Sequence, residues 1–292
     1  MAKTLEQGFE ALIGRLAPLS SEHDKASKHK DSVKSCLVNN FECSTFFETG
    51  SFGSGTGVRH CSDTDYFAVI PSKNLNQLSS TSLRKVKEAL QGTFWQTEGI
   101  EVKCPAVAIP FGQYASEFME VTPCSFEGII ETPIGKHASY DIPDCADGWM
   151  RSSPNAHNAY VKKQDERLSG KVKPLIQLVK AWKYYNNVPI RSFYLELRVA
   201  KYAETENAII YDIDLYRIFK WLSEINLARI IDPMGVSGYI SPCGTQAKLE
   251  DANSKLQTAF GRAEKAYEQR DKDLDKCFYW WNLLFNDLFP SR

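Results

Sequence analysis

What the chain lacks narrows its class first. No apolar run approaches the roughly 20 residues of a membrane-spanning helix, and Met1–Leu19 alternates apolar with charged residues, unlike a secretory leader. Neither an internal repeat nor a low-complexity tail is visible. The eight cysteines are scattered, with no CxxC pair and no histidine cluster beside them, which argues against structural zinc. Together these absences predict a cytoplasmic protein with free thiols and no membrane partner. Charge of one sign is missing too: 35 basic residues stand against 36 acidic ones, a formal net charge of −1. A global field that would recruit nucleic acid is therefore absent, although a local basic patch is not excluded.

What is present is globular in composition, with 43% hydrophobic and 24% charged residues over 292 positions. That length is about twice the usual 150-residue domain, enough for two lobes around a cleft. Leu5, Phe9, Leu12, Ile13 and Leu16 follow helical spacing, and a second helical stretch is expected from Ser21 into Val33 and Leu37. From Phe41 the texture predicts a strand to Thr49, a flexible Gly/Ser turn over Gly50–Gly57, and a strand over Asp65–Ile70. A helix over Ser82–Gln91 and strands over Ile100–Ile109 and Phe118–Thr122 follow. Ser125–Asn158, rich in Pro, Gly, Asp and Ser, reads as an irregular crossing between lobes, with the boundary near Gly148. Beyond it the pattern is helical: Tyr160–Leu168, Lys171–Tyr185, Phe193–Ala203, Asp214–Asn226, Lys248–Gln269 and Phe278–Phe289. The expected class is α+β, with a sheet lobe over residues 1–148 and a helical lobe over 149–292.

The chemistry-bearing segment is Gly50-Ser51-Phe52-Gly53-Ser54-Gly55-Thr56-Gly57, followed by Ser62-Asp63-Thr64-Asp65. Glycines let the backbone approach a polyanion, and its amides and the Ser51 hydroxyl can donate to phosphate oxygens. The spacing matches neither GK[ST] nor GxGxxG. Asp63 and Asp65 share a face by the two-residue period of a strand. Paired carboxylates repel unless a hard cation sits between them, which points to magnesium, with manganese as an alternative. A two-metal site needs a third acid from a neighbouring strand. Glu120 is the candidate and Glu101 the runner-up. Either half of the motif alone fits an ordinary turn as well as it fits a site; the conjunction is more specific.

The pattern GS followed by SDxD entering a strand resembles the nucleotidyltransferase superfamily built on the polymerase-β catalytic lobe. Leu178-Val179-Lys180-Ala181-Trp182-Lys183, Arg191-Ser192-Phe193-Tyr194-Leu195-Glu196 and Ile231-Asp232-Pro233 are similar to the branch containing oligoadenylate synthase, cyclic GMP-AMP synthase and the bacterial CD-NTases of antiphage signalling. The resemblance runs from about Phe47 to Pro233. It implies a two-lobed polymerase-β-like fold in which the N-terminal helices form a spine and the site lies between the lobes. It further implies that Gly50 and Ser51 hold the donor triphosphate and that Asp63, Asp65 and Glu120 ligate the metals. Lys180 and Ser192 would contact the triphosphate and Phe193 would stack on the base. Family members usually carry Asp at the third acid, so Glu120 departs from the pattern.

Three readings of function follow. The first is joining of NTPs into a cyclic di- or trinucleotide messenger, read by a downstream effector, with no stable nucleic-acid partner. The second is transfer of a nucleotide to an RNA 3′ end or a protein hydroxyl, and the third is a catalytically silent nucleotide-binding module. The stretch Lys162–Lys183 carries seven basic residues against two acidic ones, a candidate polyanion cradle. Taken singly, Lys162, Lys163 and Lys171 fit a solvated helix face better. Trp182 falls on the apolar stripe of its helix and reads as core; from spacing alone Phe193 fits core and base stacking equally.

Overall fold

The computed structural model describes residues 2–19, 24, 28–59, 61, 63–112 and 117–292. His60 and Ser62, and the start of the second helical stretch at Ser21, lie outside them. The chain divides into two units. A sheet unit comprises Pro18–Ala159 with Met234–Ser237, and a helical unit comprises Met1–Ala17, Tyr160–Pro233 and Gly238–Arg292.

In the sheet unit, strand β2 (Thr64–Val69) is buried along nearly its whole length, as a central strand apolar on both faces must be. It pairs antiparallel with β1 (Thr45–Thr49) and parallel with β5 (Glu117–Thr132). Strands β4 (Ala106–Phe111) and β3 (Glu101–Lys103) continue the sheet in the order β1-β2-β5-β4-β3. Helices α2 (Lys30–Phe41) and α4 (Ser79–Thr93) supply Val33, Leu37, Leu83, Val86 and Leu90 to a core with Tyr66, Ala68, Val107, Ile109, Met119 and Val121. The alternation of side chains then leaves Asp65, Phe67 and Val69 on the other face, where Phe67 and Val69 pack with Cys124, Tyr140 and Ile142. Between β1 and β2 the expected flexible turn contains a single helical turn, α3 (Gly50–Ser54).

Two expectations are corrected here. Ser125–Asn158 is largely ordered strand: β5 continues to Thr132, β6 (Gly135–Pro143) returns against it, and β7 (Trp149–Ser152) pairs with β6. Its Gly and Pro sit at a bulge and at strand ends, where they break a sequence pattern without ending the sheet. The cysteines are also not all free, since Cys104 and Cys145 form a disulfide. Their separation of 41 residues is closed by the meander, and spacing alone cannot reveal such a pairing.

The helical unit contains α1 (Leu5–Leu16), α6 (Val172–Tyr185), α7 (Ser192–Ala203), α8 (Tyr211–Glu224), α9 (Gln246–Gln269) and α10 (Leu274–Leu284). The chain enters it within α5 (Pro154–Arg167). Helix α1 therefore belongs to this unit. Its buried Phe9 ring lies edge-on to Trp281 at 5.2 Å and to Phe289 at 4.9 Å. Trp182 is core, edge-on to Phe219 at 5.0 Å. No helix among the described residues is long and apolar enough to cross a membrane.

Candidate active site

The site in the sheet unit grows from the junction of β1, α3 and β2. Thr49 ends β1 opposite Asp65, and its hydroxyl donates to the Asp65 carbonyl at 3.4 Å. The chain then turns through Gly50 at φ +60, the left-handed region that favours glycine. A Cβ at Gly50 would lie 1.8 Å from Asp65 Oδ2, so the turn runs directly against that carboxylate. The Ser51 carbonyl accepts the Thr56 amide at 2.9 Å, which closes the loop on itself. Ser54 Oγ and Thr56 Oγ1, buried beneath it, share a 2.8 Å hydrogen bond.

Sheet register places the two candidates for the third acid at different distances from Asp65. Asp65 pairs directly with Glu120 across the parallel β2–β5 ladder, and side chains so paired share a face. Glu120 in turn pairs with Ala108, and Ala108 with Glu101. Glu120 is thus one strand from Asp65, about 4.8 Å along the hydrogen-bonding direction, and Glu101 is two strands farther. Glu101 is exposed and pairs with Lys103 at 3.2 Å. Burial, reinforced by the negative charge of Asp63, raises the Glu120 carboxyl above its ordinary value of 4.5, and Lys103 opposes the rise. Asp63 is exposed just ahead of β2.

Among the described residues no three His, Cys, Asp or Glu side chains are drawn closely enough together to hold a metal ion. The donor chemistry nonetheless fits a hard divalent cation. Asp63, Asp65 and Glu120 offer only carboxylate oxygens, and Glu120 is half-buried beside like charge, a burden that a dication relieves.

In the helical unit the expected cations sit in unlike surroundings. Lys180 is fully buried, with Nζ 2.7 Å from Glu196 Oε1, so it sits in the interior and away from solvent. Lys183, one turn later on α6, donates to Ser192 Oγ at 2.6 Å, and the Tyr184 hydroxyl lies 3.1 Å from the same oxygen. Ser192 and Phe193 open α7, and Phe193 is 38% exposed. The half-buried lysine grouped with Ser192 is therefore Lys183. The apolar neighbours Leu175, Ile176, Leu178, Val179, Ala181 and Trp182 are buried with Lys180 on this stretch of α6. The wider cradle is spread among structural tasks. Lys162 pairs with Glu166 at 3.6 Å, Arg167 donates to the carbonyls of Glu206 and Ala203, and Lys171 lies over the Tyr211 ring.

With this geometry in hand, comparison with known proteins finds a match to the Second Messenger Oligonucleotide or Dinucleotide Synthetase domain over residues 3–165, more than half of the chain. A cyclic AMP-AMP-AMP synthase of Acinetobacter sp. (strain ATCC 27244 / 9458) is 22% identical over 98% of this chain and 86% of that protein. A "Probable cyclic nucleotide synthase" of Bacillus cereus (strain VD146) is 26% identical over 56% of this chain, and the match spans only 49% of that relative. The structure of Escherichia coli MS115-1 CdnC with ATP superposes with a TM-score of 0.74 at 16% identity, covering 98% of each chain. That likeness shows the fold, an α+β nucleotidyltransferase fold of the polymerase-β type.

Proposed function

The chain belongs to the second messenger oligonucleotide or dinucleotide synthetase family, and from that membership we propose that it joins NTPs into a cyclic di- or trinucleotide with release of pyrophosphate. The observation that carries the reading is Asp65 beside Glu120 in register, with the Gly50 backbone against the Asp65 carboxylate. Asp63, Asp65 and Glu120 would hold magnesium, or manganese in its place. When bound, the cation supplies charge neutralisation at the phosphates and acidifies the attacking hydroxyl.

The chain's own residues do the rest. The amides around Gly50 and the Ser51 hydroxyl donate to the triphosphate, and Gly50 leaves the Asp65 carboxylate its room. In the helical unit, Lys183 and Ser192 donate to phosphate oxygens and Phe193 offers a ring face to the base. Lys180 keeps Glu196 neutralised and holds α6 to α7. A ribose hydroxyl of one nucleotide then bonds to the α-phosphorus of another, the bond to the β-phosphate oxygen breaks, and the hydroxyl proton passes to solvent. Repetition on the linear product closes the ring.

The named product of the Acinetobacter relative makes ATP the first substrate to try. The setting we propose is cytoplasmic antiphage signalling, in which the product reaches a separate effector and no stable nucleic-acid partner is required. The near-neutral net charge of −1 agrees with a small substrate. Mass spectrometry of products from a four-NTP mixture with Mg²⁺ tests this, with D63A/D65A as control. Phosphatase-resistant small products absent from the control support it, and label retained on a macromolecule overturns it.

A further inference from the structure

The Cys104–Cys145 disulfide joins two segments that are held very unequally. On one side, the loop between β6 and β7 is fixed without it. Asp144 Oδ1 accepts the amides of Ala146 and Gly148 at 2.7 and 2.8 Å, and the Asp147 carbonyl accepts the Ser79 amide at 3.1 Å. The Trp149 indole donates to the carbonyls of Asn76 and Gln77 at 3.2 and 3.1 Å. On the other side, Cys104 stands in the turn of the β3–β4 hairpin. Strand β3 is an edge of three residues, all exposed, held laterally by β4 alone. Breaking the disulfide therefore frees the hairpin end and leaves the loop in place.

Both bonded cysteines are exposed, whereas Cys36, Cys43, Cys124 and Cys277 are buried and Cys61 and Cys243 half-buried. The thiol chemistry that solvent reaches most readily is concentrated in this pair. Exposed disulfides are the ones that exchange, and in a reducing compartment they act transiently. The tethered hairpin is also next to the acids. Lys103, adjacent to Cys104, lies 5.5 Å from the centroid of the Phe118 ring, and Phe118 is two residues ahead of Glu120. By register, Glu101 and Lys103 share the face that carries Glu120 and Asp65. The positive charge of Lys103 opposes the rise of the Glu120 carboxyl, which places its field at that acid.

We propose that Cys104–Cys145 is a reversible redox modification site, opened by a dithiol, that releases the β3 end of the β3–β4 hairpin and with it the placement of Lys103 beside the acid row. In the opening step a thiolate of the dithiol attacks one sulfur, the second cysteine leaves as thiolate, and the resulting mixed disulfide is resolved by the dithiol's other thiol. The protein gains two electrons and two protons, and the reagent becomes a cyclic disulfide. Closure is the reverse exchange with an oxidised dithiol. The effect on catalysis rests on the proposed nucleotide-joining activity; the effect on the hairpin does not.

The test uses the full chain, oxidised or equilibrated with graded ratios of reduced to oxidised dithiothreitol. Thiol counting after denaturation should rise from six to eight as the pair opens. Amides over residues 101–106 should lose exchange protection while those at 146–148 keep theirs. The rate of nucleotide joining should fall several-fold and recover on reoxidation. C104S/C145S should behave as the reduced protein and ignore dithiothreitol. A pair that stays closed until the fold itself melts overturns the proposal, as does opening with unchanged hairpin protection, or an unchanged rate in an active enzyme. Oxidised protein that joins no nucleotides counts against the proposed function instead, and the exchange at 101–106 then decides the redox site by itself.

Discussion

Gly50 and Asp65 are locked together: a methyl group on Gly50 would stand 1.8 Å from the Asp65 Oδ2 atom. The backbone there is also at φ +60, where a side chain adds strain of about 1 kcal/mol or more. G50A must therefore push the aspartate out of its row or unwind the turn. A displacement of about 1 Å at a reacting centre costs about a hundredfold in rate. We expect kcat for nucleotide joining to fall by about that factor, while thermal denaturation moves only a few degrees. Activity close to wild type would show that Asp65 is not held for catalysis.

The predicted effect of Glu120 on stability runs opposite to its effect on activity. Burial and Asp63 raise its carboxyl above 4.5, so the folded state binds this proton more tightly than the unfolded state does. Its ionised form therefore costs stability. The cost begins as pH rises past 4.5 and is complete above the raised value, and below 4.5 it vanishes. E120Q should be more stable than wild type in chelator-treated protein at neutral pH, lose that advantage in acid, and be inactive throughout. Denaturant melts across pH, beside product assays, check all three. E101Q, two strands farther away, should keep activity within a few-fold.

Part of the Asp65–Glu120 relationship was legible in the sequence, because the two-residue period of a strand sets which neighbours share a face with each acid. Choosing Glu120 over Glu101 needed the β2–β5 register, a contact between segments some fifty residues apart that no local pattern encodes. The same limit hid β6 and β7. Strand Gly135–Pro143 draws its order from partners on both sides, and its own composition looks like loop. Helix α1 announced its apolar stripe plainly, but a stripe does not name what covers it.

Lys180 and Lys183 should separate cleanly by phenotype. K180M removes the buried amine that pairs with Glu196, which is 8% exposed. Breaking a buried pair from one side costs about 3–5 kcal/mol, so this variant should unfold at markedly lower urea. K183A removes a half-buried amine that donates to Ser192 Oγ and lies over the Tyr184 ring. A charge-assisted hydrogen bond is worth about 1.5–3 kcal/mol, so the KM for ATP should rise at least about tenfold with little change in stability. The reverse pattern, with K183A unfolding and K180M binding poorly, would return the phosphate role to Lys180.

Phe9 tests whether α1 is integral to the helical unit. Its ring is 1% exposed and meets Trp281, Phe285 and Phe289 edge-on, at centroid distances of 5.2, 6.5 and 4.9 Å. Truncating such a ring to alanine removes the transfer energy and leaves a cavity, together costing about 3–5 kcal/mol. Gly8 adjoins the same cluster, where a Cβ would come within 2.9 Å of Phe289 Cζ, so a larger residue at that position forces the ring to move. F9A should therefore lower the melting temperature, and loss of exchange protection should be concentrated in α10 and α1. The strand amides of β2 and β5 should remain protected until the global transition. If F9A instead melted the strands first and left α10 protected, α1 would not be integral to the helical unit.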